Sequence, residues 1–238
     1  MFKLEVMGNT IKKVFFDFLD KKMAQQGHVI AVRKWETSEI YEIQVHLPSL
    51  DMEKWVSVPR IKVKVAEYEY RDYSPACWNE ESRNCLLFID ARHNGVGSLW
   101  ARKINSGGDF LFAPASAASL PANKGAVLCL GDESAIGHFL ALKQLLQLKE
   151  NEICIQVSVE QNITIPAEMT LSNKELHFIK RTQSDRLVSL HKALSDLDIS
   201  SFSSIYIAGH TPMVQGMRKI IKKEIKTNAR IFVNGFWS

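Results

Sequence analysis

The apolar residues of this 238-residue chain keep two different rhythms, and the rhythm changes near residue 115. Before that point, short runs alternate apolar and polar side chains. Ile61-Lys62-Val63-Lys64-Val65 is strict, and Ile40 to Val45 carries a similar pattern. A period of two puts the apolar side chains on one face of a strand. Strands are expected at His28–Trp35, Ser38–Leu47, Ile61–Val65, Glu67–Ser74, Asn84–Asp90 and Asp109–Phe112. Only one helical turn, Gly97–Ile104, interrupts them, so an antiparallel barrel or sandwich is expected. After a small-residue linker, Ala115–Pro121, strands alternate with helices. Ala126–Leu130, Ile153–Val159, Leu176–Lys180, Ser204–Ala208 and Arg230–Val233 read as strands. Ser134–Leu148, Ser184–Leu197 and Thr211–Ile225 read as helices, the first with an amphipathic face. Glu160–Asn173 reads as a loop or one short helix. That alternation argues an open parallel sheet. The spacing also predicts a short helix over Thr10–Gln25. Two domains follow, residues 1–116 and 117–238.

Bulk properties exclude more than they assign. A net charge of +4 suits an anionic small ligand but is too weak to imply nucleic acid. The basic run Arg218, Lys219, Lys222, Lys223 and Lys226 reads as a solvated helix face near a C-terminus. The cysteines, Cys77, Cys85, Cys129 and Cys154, form neither a disulfide framework nor a zinc motif. The N-terminal apolar stretch is broken by Lys12, Lys13, Asp17 and Asp20, unlike a signal peptide. No segment has the length of a membrane span. A reducing, cytoplasmic setting is expected; the oligomeric state is not readable.

Four clusters carry chemistry. Arg71-Asp72-Tyr73-Ser74-Pro75 closes an expected strand. Its guanidinium can grip a phosphate, its phenol ring can cover a flat heterocycle, and its hydroxyl can meet a ring nitrogen. The plain alternative is a strand end with a Ser-Pro turn. Asn94-Gly95-Val96-Gly97-Ser98-Leu99-Trp100 opens an expected helix. Glycines there let a ligand approach the backbone, and Ser98 could cap the helix. Gly131-Asp132-Glu133-Ser134-Ala135 follows the first parallel strand, where doubly wound sheets bind nucleotides. Its acidic residues read equally well as a helix cap. Asn234-Gly235-Phe236-Trp237-Ser238 ends the chain on two aromatics, which read as a tail packed on a core, a partner or a ligand ring.

In this order the clusters resemble the siderophore-interacting protein and ferric-siderophore reductase family, a branch of the ferredoxin reductase-like flavoproteins. Arg71, Tyr73 and Ser74 match R-x-Y-S. Gly95, Gly97, Ser98, Trp100 and Ala101 match a glycine–tryptophan segment. Gly131 to Ala135 resembles a G-D-E-T-A turn, Ala208-Gly209 the turn after the fourth strand, and Gly235-Phe236-Trp237 a closing G-Y-W. Three positions depart from the family: Ala76 where a second Arg is common, no His just before the glycine segment apart from His93 nearby, and Gly209-His210 in place of Gly-Glu.

The resemblance implies an antiparallel barrel that binds FAD and a parallel-sheet domain of ferredoxin reductase type that binds NADPH or NADH. It implies Arg71 on the flavin phosphates, Tyr73 stacked near the ring and Ser74 near its reactive nitrogen. Gly95, Gly97, Ser98 and Trp100 would belong to the flavin site. Asp132, Glu133, Ser134, Ala135, Gly209 and His210 would line the nicotinamide cleft, and Phe236 or Trp237 would shield the flavin. The implied activity is NAD(P)H-dependent reduction of a ferric siderophore or another ferric chelate. A general flavin or ferredoxin-type reductase and a flavin-binding relative without turnover are the alternatives. Lys180 and Arg181 are candidates for a 2′-phosphate, whereas Glu160 argues for NADH.

Overall fold

The computed structural model describes residues 18, 24–115, 125–181, 185–225 and 227–237. Most of the expected helix before residue 25, the linker beyond residue 115 and the boundary at 116 lie outside them.

The first half is a curled antiparallel sheet of seven strands. These are β1 (Gln25–Lys34), β2 (Ile40–His46), β3 (Arg60–Ala66), β4 (Glu69–Tyr73), β5 (Ala76–Asn79), β6 (Asn84–Asp90) and β7 (Asp109–Ala115). Their order is β4-β3-β7-β1-β2-β6-β5. Alternation does what the pattern predicts: Ile61 and Val63 are buried while Lys62 faces out. A bulge between Val29 and Ala31 shifts the β1–β2 register. One helix, α1 (Val96–Lys103), crosses between β6 and β7.

The second half is a parallel sheet of five strands: β8 (Val127–Asp132), β9 (Ile153–Val159), β10 (Leu176–Lys180), β11 (Ser204–His210) and β12 (Arg230–Trp237). The order is β10-β9-β8-β11-β12, so the chain reverses direction across the sheet beside β8. Its helices are α2 (Ile136–Leu146), α3 (Ala167–Ser172), α4 (Arg186–Leu194) and α5 (Thr211–Glu224). The crossover over Glu160–Asn173 is thus a loop ending in one short helix.

Two expectations need correction. The helix after β8 is not simply amphipathic. Ile136, Phe139, Leu140, Ala141 and Leu142 are all buried, because α2 lies between the two sheets and packs on both. The C-terminal aromatics are not a tail either. They extend β12 beside β11, with Trp237 opposite His210. In addition, β5 was not expected at all.

One cluster of buried side chains runs from the curled sheet through α2 into the parallel sheet. Trp35 marks the joint, its ring edge-on to Phe88 at 6.4 Å and to Phe178 of β10 at 6.0 Å. A second cluster holds α4 and α5 against the far face of the parallel sheet. The Gln144 side-chain amide clasps both backbone groups of Trp78 across the joint. It donates to the Trp78 carbonyl at 2.7 Å and accepts from the Trp78 N–H at 3.1 Å. A buried backbone donor or acceptor left unpaired costs about 1–3 kcal/mol. Gln144→Leu, which preserves bulk, is therefore expected to lower unfolding free energy by that amount in urea titration. Equal stability would mean that the clasp contributes nothing.

Candidate functional site

A cleft of about 880 Å³ opens between the curled sheet and the carboxyl ends of the parallel strands. Open α/β sheets place ligands at that edge. The curled sheet supplies the β3–β4 edge, the end of β6 and the start of α1. The parallel half supplies Ser134, the first turn of α2 and the last residues of β12.

Arg71 and Tyr73 lie two apart on β4 and share a face, as an extended chain requires. Both press on Gly97. A Cβ there would sit 2.8 Å from the Tyr73 hydroxyl and 3.1 Å from Cγ of Arg71. Only a glycine lets α1 approach β4 this closely. The Tyr73 ring stacks on Trp100, with centroids 6.1 Å apart. Trp100 therefore stands behind Tyr73 rather than on the cleft wall. Burial raises the Tyr73 phenol well above its ordinary range, so the group stays neutral. The Arg71 guanidinium is half-exposed and donates to Glu69 at 3.0 Å and to the Tyr70 carbonyl at 2.7 Å. Arg60 and Lys62 line the same wall. They share one carboxylate, Asp72, at 3.7 and 2.8 Å, which leaves this edge positive.

The start of α1 differs from expectation in one respect. Gly95, not Ser98, is the capping residue, and no side chain caps it. Ser98 sits within the first turn and is buried. The uncapped amide end of α1, with Gly95 and Gly97, faces the cleft.

The acidic turn after β8 is placed differently from the sequence expectation. Asp132 and Glu133 lie beneath the cleft, 0% and 1% exposed. Asp132 accepts from the Ser134 N–H at 3.1 Å, the Ser134 hydroxyl at 2.5 Å and the His210 N–H at 3.0 Å. The Arg186 Nε lies 3.3 Å from the oxygen that accepts the His210 N–H, an ion pair without a hydrogen bond. Glu133 receives Arg181 at 2.7 and 3.1 Å, Arg92 at 2.9 Å and the Glu160 N–H at 3.0 Å. Both carboxylates are buried and engaged by protein donors, and neither lines the cleft. Ala135 is buried against Gly131. Of this turn, Ser134 alone lines the cleft. Gly209 is likewise below it, at φ +124° and closely packed on Asp132.

Arg92 adds Asp90 at 2.5 Å and Glu160 at 2.6 Å to the same network. Burial alone would raise the Asp90 carboxyl, but the hydrogen bond and charge of Arg92 outweigh it and hold Asp90 below the usual carboxylate range. Arg181 is 5% exposed and committed to Glu133, so it is not available for a 2′-phosphate. Glu160, taken by Arg92, loses its force as an argument for NADH.

The aromatic pair divides in two. Trp237 is caged: His93 lies 4.3 Å and His210 4.4 Å away by ring centroid, Arg186 sits over its ring at 5.3 Å, and its N–H donates to Ser134 at 3.2 Å. His210 thus reaches the site only as a support of Trp237. Burial and Arg186 lower its pKa. Phe236 is 38% exposed and meets His138 edge-on at 5.5 Å. It is the freer lid.

No motif in the sequence singled out His138. It occupies the first turn of α2, four residues after Ser134, and its Nδ1 lies 3.4 Å from the Ser74 hydroxyl. Burial, then the Arg60 charge, lowers its pKa to about 4. Ser74 and His138 are not a hydrolytic pair. No carboxylate acts on the imidazole, and so depressed a pKa makes a poor base at neutral pH. Among the described residues no cluster of three metal-ligating side chains exists.

No family model matches this chain, and no curated protein matches it by sequence. Solved structures do match. The siderophore-interacting protein of Acinetobacter baumannii is 17% identical at a TM-score of 0.67, over 90% of this chain and 89% of that one. A siderophore utilization protein from T. fusca is 14% identical at 0.68, over 90% and 92%. The ferredoxin-NADP+ reductase of Plasmodium falciparum is 16% identical at 0.65, over 90% and 96%. The chain therefore has the two-part fold of ferredoxin reductases and siderophore-interacting proteins, in agreement with the resemblance its motifs carry.

Two outcomes follow from these buried groups. Removing one partner of a buried ion pair costs about 3–5 kcal/mol, so Glu133→Gln should lose that much stability in urea unfolding while Glu160→Gln, half-exposed, loses far less. His138 has its folded pKa below the unfolded value of 6.5, so the unfolded chain binds more protons. Its contribution is intact above pH 6.5 and is lost as pH falls toward 4. Melting curves between those values should show a shallower decline for His138→Asn than for wild type.

Proposed function

We propose that the cleft holds FAD and that the chain is an NAD(P)H-dependent flavoprotein reductase, with a ferric siderophore or another ferric chelate as acceptor. The observation that carries this reading is convergence. Residues far apart in sequence, Arg71, Tyr73, Ser74, Gly97, Ser134 and Phe236, line one cleft at the seam of a reductase fold. The donor set fits the group. The positive β3–β4 edge and the uncapped start of α1 suit a pyrophosphate. Tyr73 and Phe236 suit the two faces of a flat ring, and Ser74 its polar edge.

When bound, the flavin would take a hydride from the nicotinamide and release electrons to the acceptor. The chain's own residues bind, orient and cover. Arg71 would turn from Glu69 to the phosphates. Tyr73, backed by Trp100, would lie against the ring. Phe236 would cover the ring and yield to the nicotinamide. Trp237, held by Ser134, keeps β12 in register so that Phe236 reaches the cleft. Arg60 and Lys62 draw an anionic chelate toward the same mouth. Lys180, beside Lys192 on a separate groove of about 460 Å³, is the cation left to favour NADPH. The reading places the protein in the cytoplasm, acting on small molecules and not on nucleic acid. Among the described residues no helix is long and apolar enough to cross a membrane.

Visible spectra test this. Protein incubated with FAD and desalted should keep flavin bands that bleach on anaerobic NADPH. Absence of retained flavin sinks the reading, and flavin that NADPH does not bleach points to a binding relative without turnover. Phe236→Ala should leave flavin retention intact and strengthen NADP+ binding about tenfold in difference-spectral titration, because a covering ring no longer has to be displaced. Arg71→Ala should weaken FAD binding about tenfold or more, and weaken riboflavin, which has no phosphate, hardly at all.

A further inference from the structure

Ser74 was singled out by its motif, but the motif does not say which way its hydroxyl points. We infer that His138 sets that direction: its Nδ1 accepts a hydrogen bond from the Ser74 hydroxyl, so Ser74 turns its lone pairs into the cleft and favours a ring presenting an N–H over a ring presenting a bare nitrogen. The inference rests on the flavin reading above.

The geometry fixes the pair. Ser74 follows the last residue of β4 and precedes Pro75, and its backbone is pressed on α2. A Cβ on Gly137 would lie 3.2 Å from the Ser74 carbonyl oxygen. The hydroxyl and the imidazole are thus held in register by two backbones, 3.4 Å apart. Such contacts are commonly long without ligand and tighten in the complex.

The imidazole is kept neutral by all that faces it. Phe139 and Phe236 bracket it with ring edges at 6.0 and 5.5 Å. Arg60 from β3 is the charge that acts on it, and its sign opposes protonation. The amide end of α2, where His138 sits, opposes it too. Elsewhere on the cleft wall stand Lys62, Arg71, Asp72, Asp90 and His93, and none of them enters its shift. A neutral imidazole has one bare nitrogen and one N–H, whereas a serine hydroxyl has a single proton. With the hydroxyl proton directed at a bare Nδ1, only lone pairs remain for the cleft.

A flavin ring nitrogen bears hydrogen after reduction and is a bare acceptor before it. A Ser74 that can only accept stabilises the reduced ring relative to the oxidised one. His138 does not touch the ring in this scheme. It is a positioning residue, and it acts through Ser74.

Dye-equilibrated titration of the FAD-loaded protein, at neutral pH, reads the effect directly. His138→Leu frees the hydroxyl to donate to the oxidised ring. The preference for the reduced form should fall about tenfold, a midpoint about 30 mV lower for two electrons. Ser74→Ala should lower it similarly, and the double variant no further. His138→Asn places an amide oxygen where Nδ1 stood and should restore the wild-type midpoint. Nitrogen-15 spectra of the flavin-free protein give a second reading: His138 should be the Nε2–H tautomer. Equal midpoints across the flavin-loaded variants, or an Nδ1–H tautomer, overturn the inference and leave the reductase reading standing. Failure of the wild type to retain FAD overturns both.

Discussion

Two adjacent carboxylates at the end of β8 hold this molecule together, and they point opposite ways. Glu133 reaches outward to the curled sheet through Arg92 and to the ends of β9 and β10 through Glu160 and Arg181. Asp132 reaches inward to the Ser134 turn, to β11 through the His210 N–H, and to α4 through Arg186. Each is almost wholly removed from water. A buried charge is costly unless it is paired and hydrogen-bonded, and the partners of these two come from several elements at once. The seam between the sheets, and hence the cleft, takes its shape from these two groups.

The same pair explains why the cleft is asymmetric. In a doubly wound sheet the amides of the first strand–helix turn are ordinarily free to cradle a phosphate. Here Asp132 already occupies the Ser134 amide, and Gly209 is pressed against that carboxylate. A phosphate in this cleft would have to be held from elsewhere. The remaining donors are on the other wall, at the start of α1 and along Arg60, Lys62 and Arg71. Phosphates would be held by the curled sheet, and the parallel sheet is left to present Ser134, His138 and the end of β12.

Much of this was legible in the sequence. The change of rhythm near residue 115 separated the two sheets, because burial on one face and burial on both leave different patterns. Arg71, Tyr73 and Ser74 were singled out by type and spacing, but spacing alone left a plain strand end open, and only the family resemblance grouped them with Gly97. Other features were not legible. Four residues are too few to show a period, so β5 was missed, although Ala76 and Trp78 are buried while Cys77 and Asn79 are exposed. Phe236 and Trp237 looked like a tail because a parallel partner 27 residues away leaves no local trace; the pairing of His210 with Trp237 exists only in three dimensions. Arg181 was read as a candidate for a 2′-phosphate and Arg92 was not singled out, since a sequence shows a charge but not the carboxylate that meets it.

His138 illustrates the same limit at the site. A lone histidine four residues after a helix-opening serine has no spacing signature of its own. Its role arises because β4 ends where α2 begins, in a different sheet, and because Gly137 lets the two backbones touch. The Ser74 hydroxyl alone could face the cleft as donor or acceptor. Its neighbour removes that freedom, and does so from a position insulated by Phe139 and Phe236 and opposed by Arg60. A group that stays neutral across the physiological range cannot switch, so the pair works as a fixed dipole. Such preorganised dipoles cost no reorganisation when charge moves on a bound ring. The fold thus provides orientation at the one point where the motif leaves it undetermined.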